Sequence, residues 1–216
     1  MCGRYTIALS AEEISDYFQA KFLEDFTPRF NSAPTQLLPV ITNDQENVIQ
    51  LFRWGLIPPW ADDKSIGSKM INSRVETITE KPSFKNAFKK RRCLVIADSY
   101  YEWKKDESGK VPYRIKLKDS KVFAFAGIWE TWSKDEKINS FSIITTQAEK
   151  ELSDLHERMP IILPVENMKA WLDNKLDEET ALGLLDKNVK KGFETYSVSK
   201  KVNSPSNDSP ELILKA

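Results

Sequence analysis

Between residues 38 and 145, short apolar runs are broken every few residues by polar turns, and this spacing constrains the fold more than any other feature. Residues 38–42, 48–54, 93–97, 113–117, 122–132 and 140–145 are rich in the β-branched and aromatic types that suit a pleated, half-buried surface. Residues 43–47, 106–110 and 133–137, which separate consecutive runs, are polar or charged and read as turns. Further strands are predicted at 2–8, 100–103, 161–163 and 196–199. Helical signals are fewer. Ser10 and Glu13 form a capping box ahead of Ile14, Tyr17 and Phe18. The basic segment 81–92 reads as a short helix capped near Ser83, 147–155 as another, and 165–172 and 178–185 as amphipathic helices. Many short strands with few helices predict an α+β fold. The expected form is a single domain over 1–216, with a strongly curved, mainly antiparallel, barrel-like sheet flanked by a few helices.

The chain has 32 Lys and Arg against 32 Asp and Glu, so its net charge is zero. That excludes a generic polybasic nucleic-acid coat but not a local basic groove. No run approaches the ~18 apolar residues of a membrane span. Arg4, Glu12, Glu13 and Asp16 interrupt the first residues before a signal-peptide core can form. The expectation is a monomeric cytoplasmic protein, nucleoid-associated in a bacterium, with no membrane contact. Two cysteines, Cys2 and Cys93, make no disulfide framework, and with one histidine neither a metal site nor a cofactor is expected.

Chemistry concentrates at a few positions. Cys2 directly follows Met1, and its small side chain permits removal of that methionine. Cys2 then carries a thiol and a free α-amine on adjacent carbons, two nucleophiles that add to one aldehyde and close a five-membered ring. The amine titrates near ~8 and a free thiol near ~8.5, so both are expected to be partly available at neutral pH. His156 is the only histidine, and any imidazole chemistry falls to it. Alternation along 100–103 aims Glu102 away from Tyr101 and Trp103, either to the surface or into a pocket that raises its pKa. Asn72, Arg74 and Glu76 offer an amide, a guanidinium and a carboxylate within five residues. Arg4 and Arg74 are candidate phosphate ligands. Residues 54–60 carry two tryptophans, Trp54 and Trp60, as a candidate stacking surface. The segment 81–92, with Lys89, Lys90 and Arg91, sets six cations near two phenylalanines. This suits single-stranded nucleic acid and equally a solvated helix face.

Taken in order, Met1-Cys2-Gly3-Arg4-Tyr5, Asn31-Ser32-Ala33-Pro34-Thr35, Trp54-Gly55-Leu56-Ile57-Pro58-Pro59-Trp60, Ile71-Asn72-Ser73-Arg74-Val75-Glu76-Thr77, Arg92-Cys93-Leu94, Tyr101-Glu102-Trp103 and His156-Glu157-Arg158-Met159-Pro160 resemble the SOS-response-associated peptidase (SRAP) family. Val202-Asn203-Ser204, Asn207-Asp208 and Pro210-Glu211-Leu212 resemble its ending, so the likeness spans nearly the whole chain. The ordered set is specific, although each piece alone is weak. The resemblance implies a protein that shields abasic sites in single-stranded DNA by a covalent link through the N-terminal cysteine. It also implies a thiol autopeptidase that exposes that cysteine. Carried over position by position, Cys2 is the crosslinking nucleophile, and Asn72, Glu102 and His156 complete the active site. Arg4, Asn31, Trp60, Arg74 and the basic segment after it are the implied DNA contacts, with the loop 54–60 as a wedge. Ile96 and Ser99 stand where the family usually has proline and glycine, which predicts a slightly different backbone ahead of Glu102. Glu157 stands where aspartate is frequent and keeps the charge.

The expected function is therefore a thiazolidine crosslink between Cys2 and the ring-opened aldehyde of an abasic site in single-stranded DNA. Two alternatives stay open on the residues alone: a cysteine peptidase acting on other proteins, and a non-covalent reader of single-stranded or damaged DNA. Cleavage of the strand by lyase chemistry is open as well.

Overall fold

The computed structural model describes residues 2–107, 109–186 and 192–216. The chain begins with β1 (Tyr5–Ile7), shorter than the strand expected over 2–8. Ser10 then caps α1 (Ala11–Phe18): its hydroxyl accepts from the Glu13 N–H at 3.2 Å while the Glu13 carboxylate accepts from the Ser10 N–H at 2.9 Å. This is the reciprocal capping box expected from the sequence. The strands β2 (Lys21–Phe22), β3 (Arg29–Ser32), β4 (Leu37–Thr42), β5 (Gln45–Trp54) and β6 (Asn72–Arg74) follow. α2 (Lys85–Lys90) comes next, beginning after Phe84 with no side-chain cap, so Ser83 does not play the part expected of it. Then come β7 (Arg92–Ala97), the hairpin of β8 (Ser99–Asp106) and β9 (Gly109–Leu117), and the hairpin of β10 (Phe123–Ser133) and β11 (Lys137–Gln147). β12 (Arg158–Pro160), β13 (Ile162–Leu163), α3 (Val165–Leu172), α4 (Glu178–Asp186) and β14 (Phe193–Ser197) complete the order.

Two sheets result. One has five strands in the order β14-β9-β8-β1-β3. In the other, β11, β10, β7, β4 and β5 are successive neighbours, and β5 also pairs with β11 in parallel through Ser140↔Arg53 and Phe141↔Trp54. That last pairing closes the path on itself, which is the barrel-like curvature expected from the strand spacing. Every residue of β7 is buried, in line with its flat apolar sequence. Trp54 and Phe141 stack inside the closure at 6.4 Å, and Tyr5 of the first sheet meets the Trp54 ring edge-on at 5.0 Å. The core therefore fills the barrel and the space between it and the five-stranded sheet.

Two departures matter for the site. The segment 147–155 is not a helix but a string of turns. β11 and β12 pair antiparallel on either side of it, and the Ala148 N–H bonds the Glu157 carbonyl at 2.9 Å, so the strands hold the segment as a loop against its local propensity. The second is the course of the chain after β5. Gly55 adopts φ 119°, and a Cβ there would lie 2.5 Å from the Gly67 carbonyl oxygen. Only two glycines let the loop fold back so closely, and it then runs directly into β6 and Asn72.

Candidate active site

β1 lies between β3 and β8, with Tyr5 opposite Ser32 on one side and Tyr100 on the other. This placement draws the first residues into the interior. Cys2 is fully buried, its Sγ 3.9 Å from the Arg4 carbonyl, and that carbonyl also accepts the Tyr101 N–H at 2.9 Å. On the far side, the Asn72 side-chain amide donates to the Cys2 carbonyl at 2.7 Å. Asn72 reaches it because β6 is pinned alongside β11, Asn72 opposite Ile143.

Glu102 comes from β8 and is 4% exposed. As alternation predicted, its neighbours point the other way: Tyr101 and Trp103 pack with Val198, Val202 and Leu212. His156 closes the loop before β12. Its Nδ1 accepts the Arg158 N–H at 3.0 Å, which puts the proton of the neutral ring on Nε2. Glu102 and His156, with Trp103, Lys110 and Asn203, line an open cleft of about 460 Å³.

The electrostatics join these groups into one cluster. Burial pushes the Cys2 thiol well above its ordinary value, the Glu102 charge adds to the rise, and the N-terminus opposes it. The expectation of a partly ionised thiol is thereby corrected: desolvation keeps the resting sulfur protonated. Burial likewise raises Glu102 to about 7, against the pull of the N-terminus. His156 is lowered, first by burial and then by the same terminal charge. The N-terminal charge thus acts on Cys2, Glu102 and His156 alike, and the Glu102 charge acts on Cys2. A proton leaving the thiol has a carboxylate poised near neutrality to receive it.

A second recess of about 270 Å³ is lined by Arg74, Gln147, Glu157 and Arg158. Arg74 is exposed, and Arg158 makes a bidentate pair with Glu76 at 2.6 and 3.0 Å.

Residues 1–205 match the family described as SOS response associated peptidase (SRAP). The chain belongs to this family. It is 46% identical to "Abasic site processing protein YoqW" of Bacillus subtilis over 99% of both chains. It is 30% identical to "Abasic site processing protein HMCES" of Xenopus tropicalis over 88% of this chain and 67% of the other. A crystal structure of a protein from Bacteroides thetaiotaomicron has the same fold, with a TM-score of 0.85 and 28% identity over the full length of both chains.

Within this SRAP fold the residues singled out as DNA contacts divide sharply. Trp60 is 59% exposed, and Arg74, Lys89 and Lys90 face solvent. Trp54 is not a stacking surface: it is completely buried, its indole N–H donating to the Ile71 carbonyl at 2.9 Å, because the barrel closes over it. Asn31 is also buried, so it is corrected from a DNA contact to a clamp. Its Nδ2 donates to the carbonyls of Val202, Ser204 and Asn207 at 3.2, 3.0 and 2.8 Å, and its Oδ1 accepts Arg4 Nη1 at 2.7 Å. Arg4 is committed to the same clamp through Val202 and Asn203, with its guanidinium 5.9 Å from the Trp103 ring. Arg91 pairs with Glu130 at 3.0 Å, and Arg92, completely buried, donates to the backbone carbonyls of Phe88, Lys89, Trp171 and Asp173. Arg92 is thereby withheld from any phosphate, whereas Arg91 stays part-exposed with one nitrogen paired.

Lys110, Trp103 and Asn203 in the cleft, and Arg158 in the recess, were not singled out from the sequence. Lys110 carried only a turn signal, and Asn203 lies in the tail that the Asn31 clamp folds over the terminus. Ser99 brings no unusual backbone. Its φ is not positive, and its hydroxyl accepts Arg114 Nε at 2.7 Å and bonds the Thr6 hydroxyl. No described helix is long and apolar enough to cross a membrane.

Proposed function

We propose that this protein processes abasic sites by linking Cys2 covalently to the ring-opened sugar in single-stranded DNA. What carries the reading is that Glu102 and His156 line one cleft, while Asn72 bonds the Cys2 carbonyl and the Glu102 charge acts on the buried Cys2 thiol, four residues from separate parts of the chain. The relatives named abasic site processing proteins support it, since they align over nearly the whole chain. Removal of Met1 comes first, because the peptide bond to Met1 makes the Cys2 nitrogen an unreactive amide. That removal is the thiol autopeptidase activity of the proposal, with Cys2 as its nucleophile.

The freed α-amine then attacks C1′ of the open aldehyde, water leaves, and an imine forms. The thiol adds to the imine carbon: its proton departs, an S–C1′ bond forms, and the C=N pair returns to nitrogen. The product is a thiazolidine, and the only other product is the one water. Asn72 holds the Cys2 carbonyl and so sets the direction of the amine and thiol without adding charge. His156 serves sugar opening, and Glu102 handles the amine and thiol protons. Trp60 stacks a flanking base and Arg74 holds phosphate, which selects a strand whose bases are unpaired.

The test is intact mass after incubation with a single strand containing one abasic site. The expected product is the chain lacking Met1 plus the DNA, less one water, stable in denaturant and absent with Cys2→Ala. Binding that survives Cys2→Ala unchanged and is fully reversed by salt, with no adduct from the wild type, defeats the proposal in favour of a non-covalent reader.

A further inference from the structure

The inner face of the five-stranded sheet carries a row of hydroxyls that the reactions above leave unused. Ser32, Tyr5 and Tyr100 stand directly opposite one another across β3, β1 and β8, so their side chains share one face. All three are buried, and none of their hydroxyls has a hydrogen-bond partner among the described residues. The two phenol rings are fixed, each edge-on to Phe125 at 5.8 and 6.0 Å. Burying an O–H without an acceptor forfeits its hydration with no return, so two of them side by side need a physical account. Charge on Cys2 acts on both phenols, with Cys93 also acting on Tyr5, and Glu102 and Glu151 on Tyr100. What the pair lacks in the resting molecule is an anion to bond.

We propose that Tyr5 and Tyr100 donate hydrogen bonds to the Cys2 thiolate as it forms during ring closure. The proposal rests on the crosslinking reading and assigns these residues to its second step. Once the amine has condensed with C1′, the thiol proton passes to the Glu102 carboxylate and negative charge develops on sulfur. The phenols, their rings held against Phe125, turn their unpartnered O–H groups to that charge, then release the sulfur as the S–C1′ bond forms. The logic is that of an oxyanion hole: donors placed for a charge that exists only on the way to the product. In the resting state the sulfur turns toward the Arg4 carbonyl at 3.9 Å, the contact of a protonated thiol, and the phenols are idle.

The two steps are separable with borohydride, which reduces the imine and spares the closed ring. Tyr5→Phe and Tyr100→Phe are expected to form imine at the wild-type rate and to close the ring on the order of a hundredfold more slowly, so that borohydride captures them. Each variant keeps the ring packing and loses only an unpartnered hydroxyl, so its melting temperature is expected to match or exceed that of the wild type. Ring closure at the wild-type rate in both variants overturns the proposal while leaving the crosslinking reading intact. Equal slowing of both steps marks a structural role and also overturns it. A wild-type protein that forms no adduct overturns the crosslinking reading, and this proposal with it.

Discussion

The Asn72 amide and the Cys2 carbonyl meet at 2.7 Å, and this bond ties the N-terminus to the strand β6 that the long loop after β5 delivers. The contact is to backbone, so Asn72 acts on where the terminus points. Asn72→Ala is expected to strip the carbonyl of its donor and cost about 1–3 kcal/mol of stability. The slackened terminus should slow adduct formation by roughly tenfold or more, because small misplacements of a nucleophile are expensive. Affinity for intact single-stranded DNA should be unchanged. Stopped-time gels on abasic and intact oligonucleotides separate the two quantities.

The two tryptophans flanking the 54–60 loop are expected to fail in opposite ways. Trp54→Ala empties the barrel closure beside Tyr5 and Phe141 and should cost about 3–5 kcal/mol of folding stability. Trp60→Ala touches little of the fold but should weaken single-strand binding by about 1–3 kcal/mol, the worth of one stacked base. Thermal melts and fluorescence anisotropy, run on both variants, decide whether the assignment is right.

Much of this was legible in the chain because it follows from local pattern. The capping box, the hairpins of the second half and the aim of Glu102 away from Tyr101 and Trp103 each depend on neighbours within a few residues. What was not legible depends on pairings distant in sequence. Trp54 and Trp60 look alike in a Pro-rich loop, and only the β5–β11 closure decides which of them is inside. Asn31 and Arg4 are polar residues whose partners lie about a whole chain length away, in the tail at Val202 to Asn207. The helix expected over 147–155 had adequate propensity, but the β11–β12 pairing overrides it. The thiol's raised pKa was invisible for the same reason, since burial of the terminus is a property of the assembled sheet.

Cations that look equivalent in sequence should therefore differ in their salt response. Arg74→Ala is expected to lower the slope of log K against log salt by about 0.7, the signature of one lost contact to a single-stranded phosphate. Arg4→Ala should leave that slope alone and instead lower the melting temperature, because it opens the clamp between Asn31 and the tail. Asn31→Ala should be more severe, because it removes one donor from three backbone carbonyls and one acceptor from the Arg4 guanidinium. An Arg4→Ala protein with normal stability and a reduced salt slope would return Arg4 to the DNA interface.

The pH response isolates Glu102. Its carboxyl holds a proton up to about 7 in the folded protein and gives it up near 4.5 when unfolded. Between those values the folded state binds more protons, so stability falls as pH rises through the window and is level on either side. Glu102→Gln has nothing to ionise, so its stability should stay level where the wild type loses on the order of 3 kcal/mol. Adduct formation should run the other way, rising through pH 7 as the carboxylate becomes available as a base. Burial holds His156 below its ordinary 6.5, so its own titration lies on the acid side of the rise near 7 that belongs to Glu102. Glu102→Gln should remove the rise and slow the reaction by roughly a hundredfold to ten-thousandfold, the contribution of a positioned general base. Paired pH series of denaturant melts and adduct rates measure both curves. A wild-type rate that is level from pH 5 to 8 removes Glu102 from the proton path, whatever its effect on stability.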